Sequence, residues 1–154
     1  MAVWTAAQTA TVPRSIQDHR LYARYHLVAL RGLRRGAAAG LRWRDVGLDG
    51  KTAVICQQLR QCDGRLAVCP PKTPHSVRVI ALDRTTVAAL QEHRDRQRAE
   101  AHAYGPGYNL SGYVFTCLNG GPMAPDRLTR AFKRLAAACP RRRRGGSTPR
   151  SGQR

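Results

Sequence analysis

Apolar positions recur along this chain with two different periods, and the switch between them divides it into helices, then strands, then helices again. Leu21, Tyr25, Leu27, Val28 and Leu30 form a helix-like stripe that stops at Gly32, and a second short helix is predicted from Arg35 to Leu41. Upstream, Thr5 and Gln8 have capping-box spacing behind Trp4, which predicts a helix start at Thr5. Pro13 then shortens or kinks that helix, because an interior proline costs about 3 kcal/mol.

From Thr52 the alternation becomes strand-like: TAVICQQL, a turn at Asp63-Gly64, RLAVC, and SVRVIAL from Ser76 to Leu82. Asp-Gly between β-rich runs is a hairpin signal, and Pro70, Pro71 and Pro74 bracket the next connection. The pattern predicts a three-stranded antiparallel sheet with Lys72 on an exposed turn beside its edge. Asp83 can cap a long helix to about Ala103, with Val87 and Leu90 facing the core and the run HRDRQRAEAH exposed. GPGYNLSG reads as a loop, YVFTC as a short buried strand and NGGP as a turn; Pro125 opens a last helix in which Leu128, Phe132 and Leu135 recur at helical spacing.

The predicted class is α+β: a mainly helical core with a small three-stranded antiparallel sheet over residues 1–138. Residues 139–154 form an Arg-rich tail. From Pro140 onward it holds no aliphatic or aromatic residue, so it cannot bury enough apolar surface to offset its ordering entropy and is expected to be disordered. It reads either as an arm for nucleic acid or as the product of a shifted reading frame.

Charge narrows the choice of partner. The 27 Lys+Arg face 9 Asp+Glu, a formal net charge of +18, and leaving out the six arginines beyond Cys139 still leaves +12. Such an excess seeks polyanions. All but Lys51, Lys72 and Lys133 of these cations are arginines, whose planar fork suits phosphate, although a GC-rich genome accounts for the ratio as well. Cys56, Cys62, Cys69, Cys117 and Cys139 lack CxxC spacing and are odd in number, so they read as reduced thiols of a cytosolic protein rather than a disulfide frame or zinc site. The absence of any 18-residue apolar run, and of a basic region followed by an apolar one at the N-terminus, argues against membrane insertion and secretion. No phosphate loop, paired-carboxylate site, H-E-x-x-H or Ser/His/Asp arrangement is legible.

Three stretches in order carry a family resemblance: LRGLRRGAAAGLRWRDVGLDG at 30–50, PPKTPHSVRVIALD at 70–83 and YVFTCLNGGPMAPDRLTRAFKRL at 113–135. Together they resemble the first arginine box, the hairpin lysine region and the segment before the second arginine box of tyrosine recombinases (the phage-integrase family), over roughly residues 3–138. Gly32-Leu33-Arg34 matches the Gly-Leu/Met-Arg element, which implies that Arg34 is the first catalytic arginine, its guanidinium fork meeting the non-bridging oxygens of a phosphodiester under attack. Arg35 is the rival for that place, because adjacent side chains on a helix diverge by roughly 100° and only one can face the phosphate.

Lys72 matches the hairpin lysine, for which the resemblance implies minor-groove contact and proton donation to the departing 5′ oxygen. Arg35, Lys72 and Arg78 are the expected DNA-binding residues, and Leu41, Trp43 and His75 are read as structural. The resemblance further implies double-stranded DNA as partner, protomers assembled on it, a cytoplasmic setting of bacterial or phage type, and neither metal nor cofactor.

Two departures stand out. Ala37 occupies a position where the family usually carries an acid that braces the arginine region. After FKRLAAACP the His-x-x-Arg box and the tyrosine that forms the 3′-phosphotyrosyl link do not follow, and Tyr22, Tyr25, Tyr104, Tyr108 and Tyr113 lie too early to replace it. The N-terminal DNA-clamping domain of relatives is likewise not legible. The expectation is therefore a recombinase fragment that does not cut DNA by itself, against the alternatives of a non-enzymatic basic nucleic-acid binder or a decayed gene product.

Overall fold

A computed structural model describes residues 14–71 and 73–138. The start predicted at Thr5, Pro13, Lys72 and the tail at 139–154 lie outside the described residues. Among the described residues five α-helices precede and follow five short strands in the order helices, sheets, helices, as the α+β reading expects.

The first helices, α1 (Arg14–Gln17) and α2 (Tyr22–Arg31), lead to Gly32, which adopts a left-handed conformation (φ 62°) and stops α2 where the apolar stripe ends. Leu33 plugs the core at that stop, and Arg34 is extended (φ −65°, ψ 144°) as the N-cap of α3 (Arg35–Ala39). α3 is made only of arginine, glycine and alanine, and this allows it to lie against the strand β3 (Gln58–Cys62). A Cβ added at Gly36 would stand 2.9 Å from the Leu59 carbonyl oxygen, and one at Gly40 2.9 Å from the Gln58 Cα. The predicted helix stops two residues short of Leu41, at Ala39, where Gly40 caps it.

The predicted three-stranded antiparallel sheet is present with a different membership. β1 (Val46–Gly47), β2 (Thr52–Ile55) and β5 (Arg78–Ala81) form it in the order β1-β2-β5, with Val54 opposite Val79. β3 and β4 (Arg65–Cys69) form a separate two-stranded hairpin with Cys62 opposite Arg65. Asp63 and Gly64 both have positive φ (50° and 76°), the two-residue turn that Asp-Gly signals.

The run expected as one strand from Thr52 breaks at Cys56-Gln57. There the Gln57 amide turns inward to donate to the Gly40 carbonyl oxygen at 2.8 Å, so the chain leaves one sheet and begins the other.

The long helix α4 (Arg84–Tyr104) starts where expected, with the Asp83 carboxylate accepting from the Thr86 backbone N–H at 2.7 Å. Its second half departs from the expectation of an exposed charged run. His93 is buried, and Arg96, Gln97 and Glu100 are half-buried.

The reason is the neighbouring segment 113–117, predicted as a strand. Tyr113 to Thr116 are indeed buried, but the segment makes only isolated bridges, Arg42 with Tyr113 and Thr116 with Pro122. Its carbonyl groups are satisfied by side chains instead. Gln97 Nε2 donates to Tyr113 O (3.2 Å) and Val114 O (3.3 Å), and His93 Nε2 lies 2.6 Å from Val114 O. Arg20 donates to Thr116 O (2.7 Å) and Cys117 O (3.3 Å) while gripping both Glu100 oxygens at 2.5 and 2.7 Å.

A final helix, α5 (Pro125–Ala138), begins at Pro125 as predicted and inserts Leu128 into the core. Leu27, Leu41, Leu59, Leu90, Val114, Phe115 and Leu128 form the centre of one core joining helices and sheets. Trp43 packs on its edge, as expected, with its indole N–H donating to Gln97 Oε1 at 2.7 Å.

Candidate nucleic-acid interface

The stretch expected to be the first arginine box sits between two helices. Gly32 ends α2, Leu33 is held in the core, and Arg34 projects from the α3 N-cap into solvent. Among the described residues the Arg34 side chain has no hydrogen-bond or ion-pair partner, while its carbonyl oxygen accepts from the Ala38 backbone N–H at 3.0 Å. Arg35 differs: its Nη1 donates to Asp126 Oδ1 at 3.0 Å, tying the first residue of α3 to the first turn of α5. The two adjacent arginines are thereby sorted into one free fork and one paired fork.

Asp126 is the residue that sequence reasoning missed. An acid just inside a Pro-started helix reads as ordinary N-terminal helix chemistry, and only the packing of α3 against α5 brings it to an arginine 91 residues away. Ala37 is buried within α3, so its side chain offers no brace, and an acid reaches the arginine pair from another element.

Arg78 opens the edge strand β5, opposite Ile55, and its exposed side chain has no partner among the described residues. No hydrogen bond or ion pair links it to Arg34. Lys72 lies outside the described residues, between Pro71 and Thr73 in the connection from β4 to β5. His75, read as structural, stands exposed in a turn of 3-10 helix at Pro74–Ser76.

Behind the box a polar latch fixes α2 against α4. His26 Nδ1 lies 3.0 Å from the Thr86 hydroxyl, Thr86 N donates to Asp83, and Arg31 pairs with Asp83 Oδ2 at 3.2 Å. Burial lowers the His26 pKa below its ordinary value, and Asp83 only partly opposes that. Burial also lowers the pKa of His93, even though carbonyl oxygens of Val114 and Arg20 face both of its ring nitrogens. A neutral ring donates to one of them, and the shorter contact marks Val114 O. The hydrogen bonds from Thr86 hold the Asp83 carboxyl below its ordinary range.

Among the described residues no group of three His, Cys, Asp or Glu side chains is placed to hold a metal ion, and no helix is long and apolar enough to cross a membrane. Cys56, Cys62, Cys69 and Cys117 are free thiols.

No family model matches the chain. The fold is that of a tyrosine-recombinase catalytic domain. The Tn1549 transposon integrase, solved in complex with transposon right end DNA, superposes with a TM-score of 0.72 at 23% identity, over 89% of this chain and 44% of that one. The XerA recombinase superposes with a TM-score of 0.61 at 18% identity.

Sequence relatives agree. A tyrosine recombinase XerC-like protein of Caldanaerobacter subterraneus subsp. tengcongensis is 28% identical over 136 residues, spanning 80% of this chain and 35% of the relative. The ICEBs1 integrase of Bacillus subtilis is 26% identical over 118 residues, spanning 76% of this chain and 32% of the relative. The chain is thus similar in sequence to tyrosine recombinases and integrases, and it spans about a third of the length of the curated relatives it matches.

Proposed function

We propose that this chain is the Arg-box portion of the catalytic domain of a cytoplasmic site-specific DNA recombinase or integrase, and that it binds double-stranded DNA without cutting it. The observation that carries the reading is Arg34, whose side chain the fold presents to solvent from the α3 N-cap and leaves without a partner among the described residues. A fixed guanidinium fork is suited to two non-bridging oxygens of one phosphate, the place where charge gathers when a phosphodiester is attacked. Lys72 and Arg78 supply flanking contacts to the DNA backbone, as does Arg35 to the extent that Asp126 leaves it free.

In the intact protein Arg34 and Lys72 would serve strand transfer through a 3′-phosphotyrosyl intermediate, with protomers assembled on the DNA. In this chain Tyr25 and Tyr113 are buried and the Tyr108 hydroxyl is enclosed. Incubation with duplex attachment-site DNA is therefore expected to yield reversible binding and no covalent protein–DNA adduct.

The test of the binding role is the salt dependence of duplex affinity. Loss of one phosphate contact in Arg34→Ala should flatten the slope of log K against log salt by about 0.9 and weaken binding about eightfold at 0.1 M salt. An unchanged slope would refute the role assigned to Arg34.

The excess of cations keeps a second reading in view, a non-enzymatic binder of any polyanion. Equal affinity for single-stranded RNA and duplex DNA would favour it.

A further inference from the structure

Arg34 and Arg35 are consecutive, yet among the described residues only the Arg35 side chain has a partner, and that partner comes from 91 residues further along the chain. Arg35 is the first residue of α3, a helix pinned by the contact of Gly36 with β3. Asp126 follows the buried Pro125 and precedes the fully buried Leu128 on α5. Both backbones are thus fixed by packing, and their side chains meet at 3.0 Å although each is more than half exposed (58% and 55%).

We propose that Asp126 is a positioning residue that holds Arg35 away from nucleic acid, so that the Arg34–Arg35 pair presents one cation rather than two to a phosphate backbone. The inference rests on the reading of this chain as a DNA-binding fragment. The physical argument is one of register. Two adjacent free forks would let the box engage phosphates in two alternative ways, either with Arg34 or with Arg35 leading, and an acid fixed beside one of them removes the second. An exposed pair of this kind is weak, so it biases the competition a few-fold without abolishing it.

The experiment compares duplex binding by the full 154-residue chain and by Asp126→Asn as a function of salt. Freeing Arg35 should tighten binding about fivefold at 0.1 M salt and steepen the salt slope by about 0.9, the signature of one more phosphate contact. Both gains should vanish in the Arg35→Ala background, and Asp126→Glu should restore wild-type behaviour.

Asp95→Asn is the charge-matched control: Asp95 pairs with Arg98 at 3.7 Å on the exposed face of α4, so removing it changes net charge equally without touching the box. A gain in Asp126→Asn that persists with Arg35→Ala, or that Asp95→Asn reproduces, would reduce the effect to general charge and overturn the proposal. So would an unchanged slope in a variant that melts like the wild type. Failure of the wild-type chain to bind duplex DNA at all would overturn the functional reading and this inference with it, whereas wild-type binding with no gain in Asp126→Asn overturns the inference alone.

Discussion

Replacing Arg20 with alanine removes one of the side-chain links between α4 and the segment 113–117, the others being His93 and Gln97. The Arg20 guanidinium makes two short bonds to the Glu100 carboxylate and one each to Thr116 O and Cys117 O, with only 20% of either charged side chain exposed. Breaking a well-buried pair by removing one partner costs 3–5 kcal/mol, and hydrogen bonds to charged groups contribute roughly 1.5–3 kcal/mol each. Partial exposure places Arg20→Ala near the lower end, at about 3 kcal/mol.

The comparison that decides the matter lies on the same helix. Glu92 and Arg96 pair at 3.2 Å, but Glu92 is 68% exposed, and exposed pairs four residues apart are worth only about 0.3–0.5 kcal/mol. Urea denaturation of Arg20→Ala and Glu92→Ala should therefore differ by more than 2 kcal/mol, and the Arg20→Ala melting temperature should fall by roughly 6–12 °C for a chain of this size. Adding Glu100→Ala to Arg20→Ala should cost little more than the first change. If Arg20→Ala loses less than 1 kcal/mol, or the two changes add independently, the clamp does not hold the segment and its carbonyls are satisfied by water.

Three further outcomes follow from the same structure. Gly36→Ala should destabilise by about 1–3 kcal/mol in a urea titration despite the better helix propensity of alanine, because the new Cβ would stand 2.9 Å from a backbone oxygen of β3. Arg24→Met should stabilise, by roughly 1–4 kcal/mol in thermal melts at pH 7. Arg24 is 3% exposed, its Nε has no partner, no described acid pairs with it, and burial pulls its pKa down to about 9, so an apolar side chain of similar length removes an uncompensated charge. The contribution of the histidines to stability should be present above about pH 6.5 and be lost as the pH drops below it. His19, His26 and His93 all have lowered pKa values when folded, so the unfolded chain takes up protons first, and His26→Gln should blunt the fall seen in melts between pH 7 and 5.

Much of the architecture was legible as local grammar. Gly32 ending α2, Asp83 capping α4, Asp63-Gly64 turning the hairpin and Pro125 starting α5 are each specified by the chain within a few residues, because backbone sterics and local hydrogen bonds act at that range. The element on which the resemblance rests, Gly32-Leu33-Arg34, is likewise contiguous, and the structure places it between the end of α2 and the start of α3.

What the sequence did not reveal depends on contacts between distant elements. The break at Cys56-Gln57 follows from the Gly40 carbonyl that Gln57 meets, and the burial of His93, Gln97 and Glu100 follows from an irregular segment whose carbonyls need donors. A polar residue at helical spacing reads as solvent-facing until its partner is known. The chain by itself determined that two arginines stand together at the start of α3; only the tertiary structure decided that the Arg35 side chain is paired while that of Arg34 has no partner among the described residues, because the carboxylate that separates them arrives by the packing of α5 against α3, which no local pattern encodes.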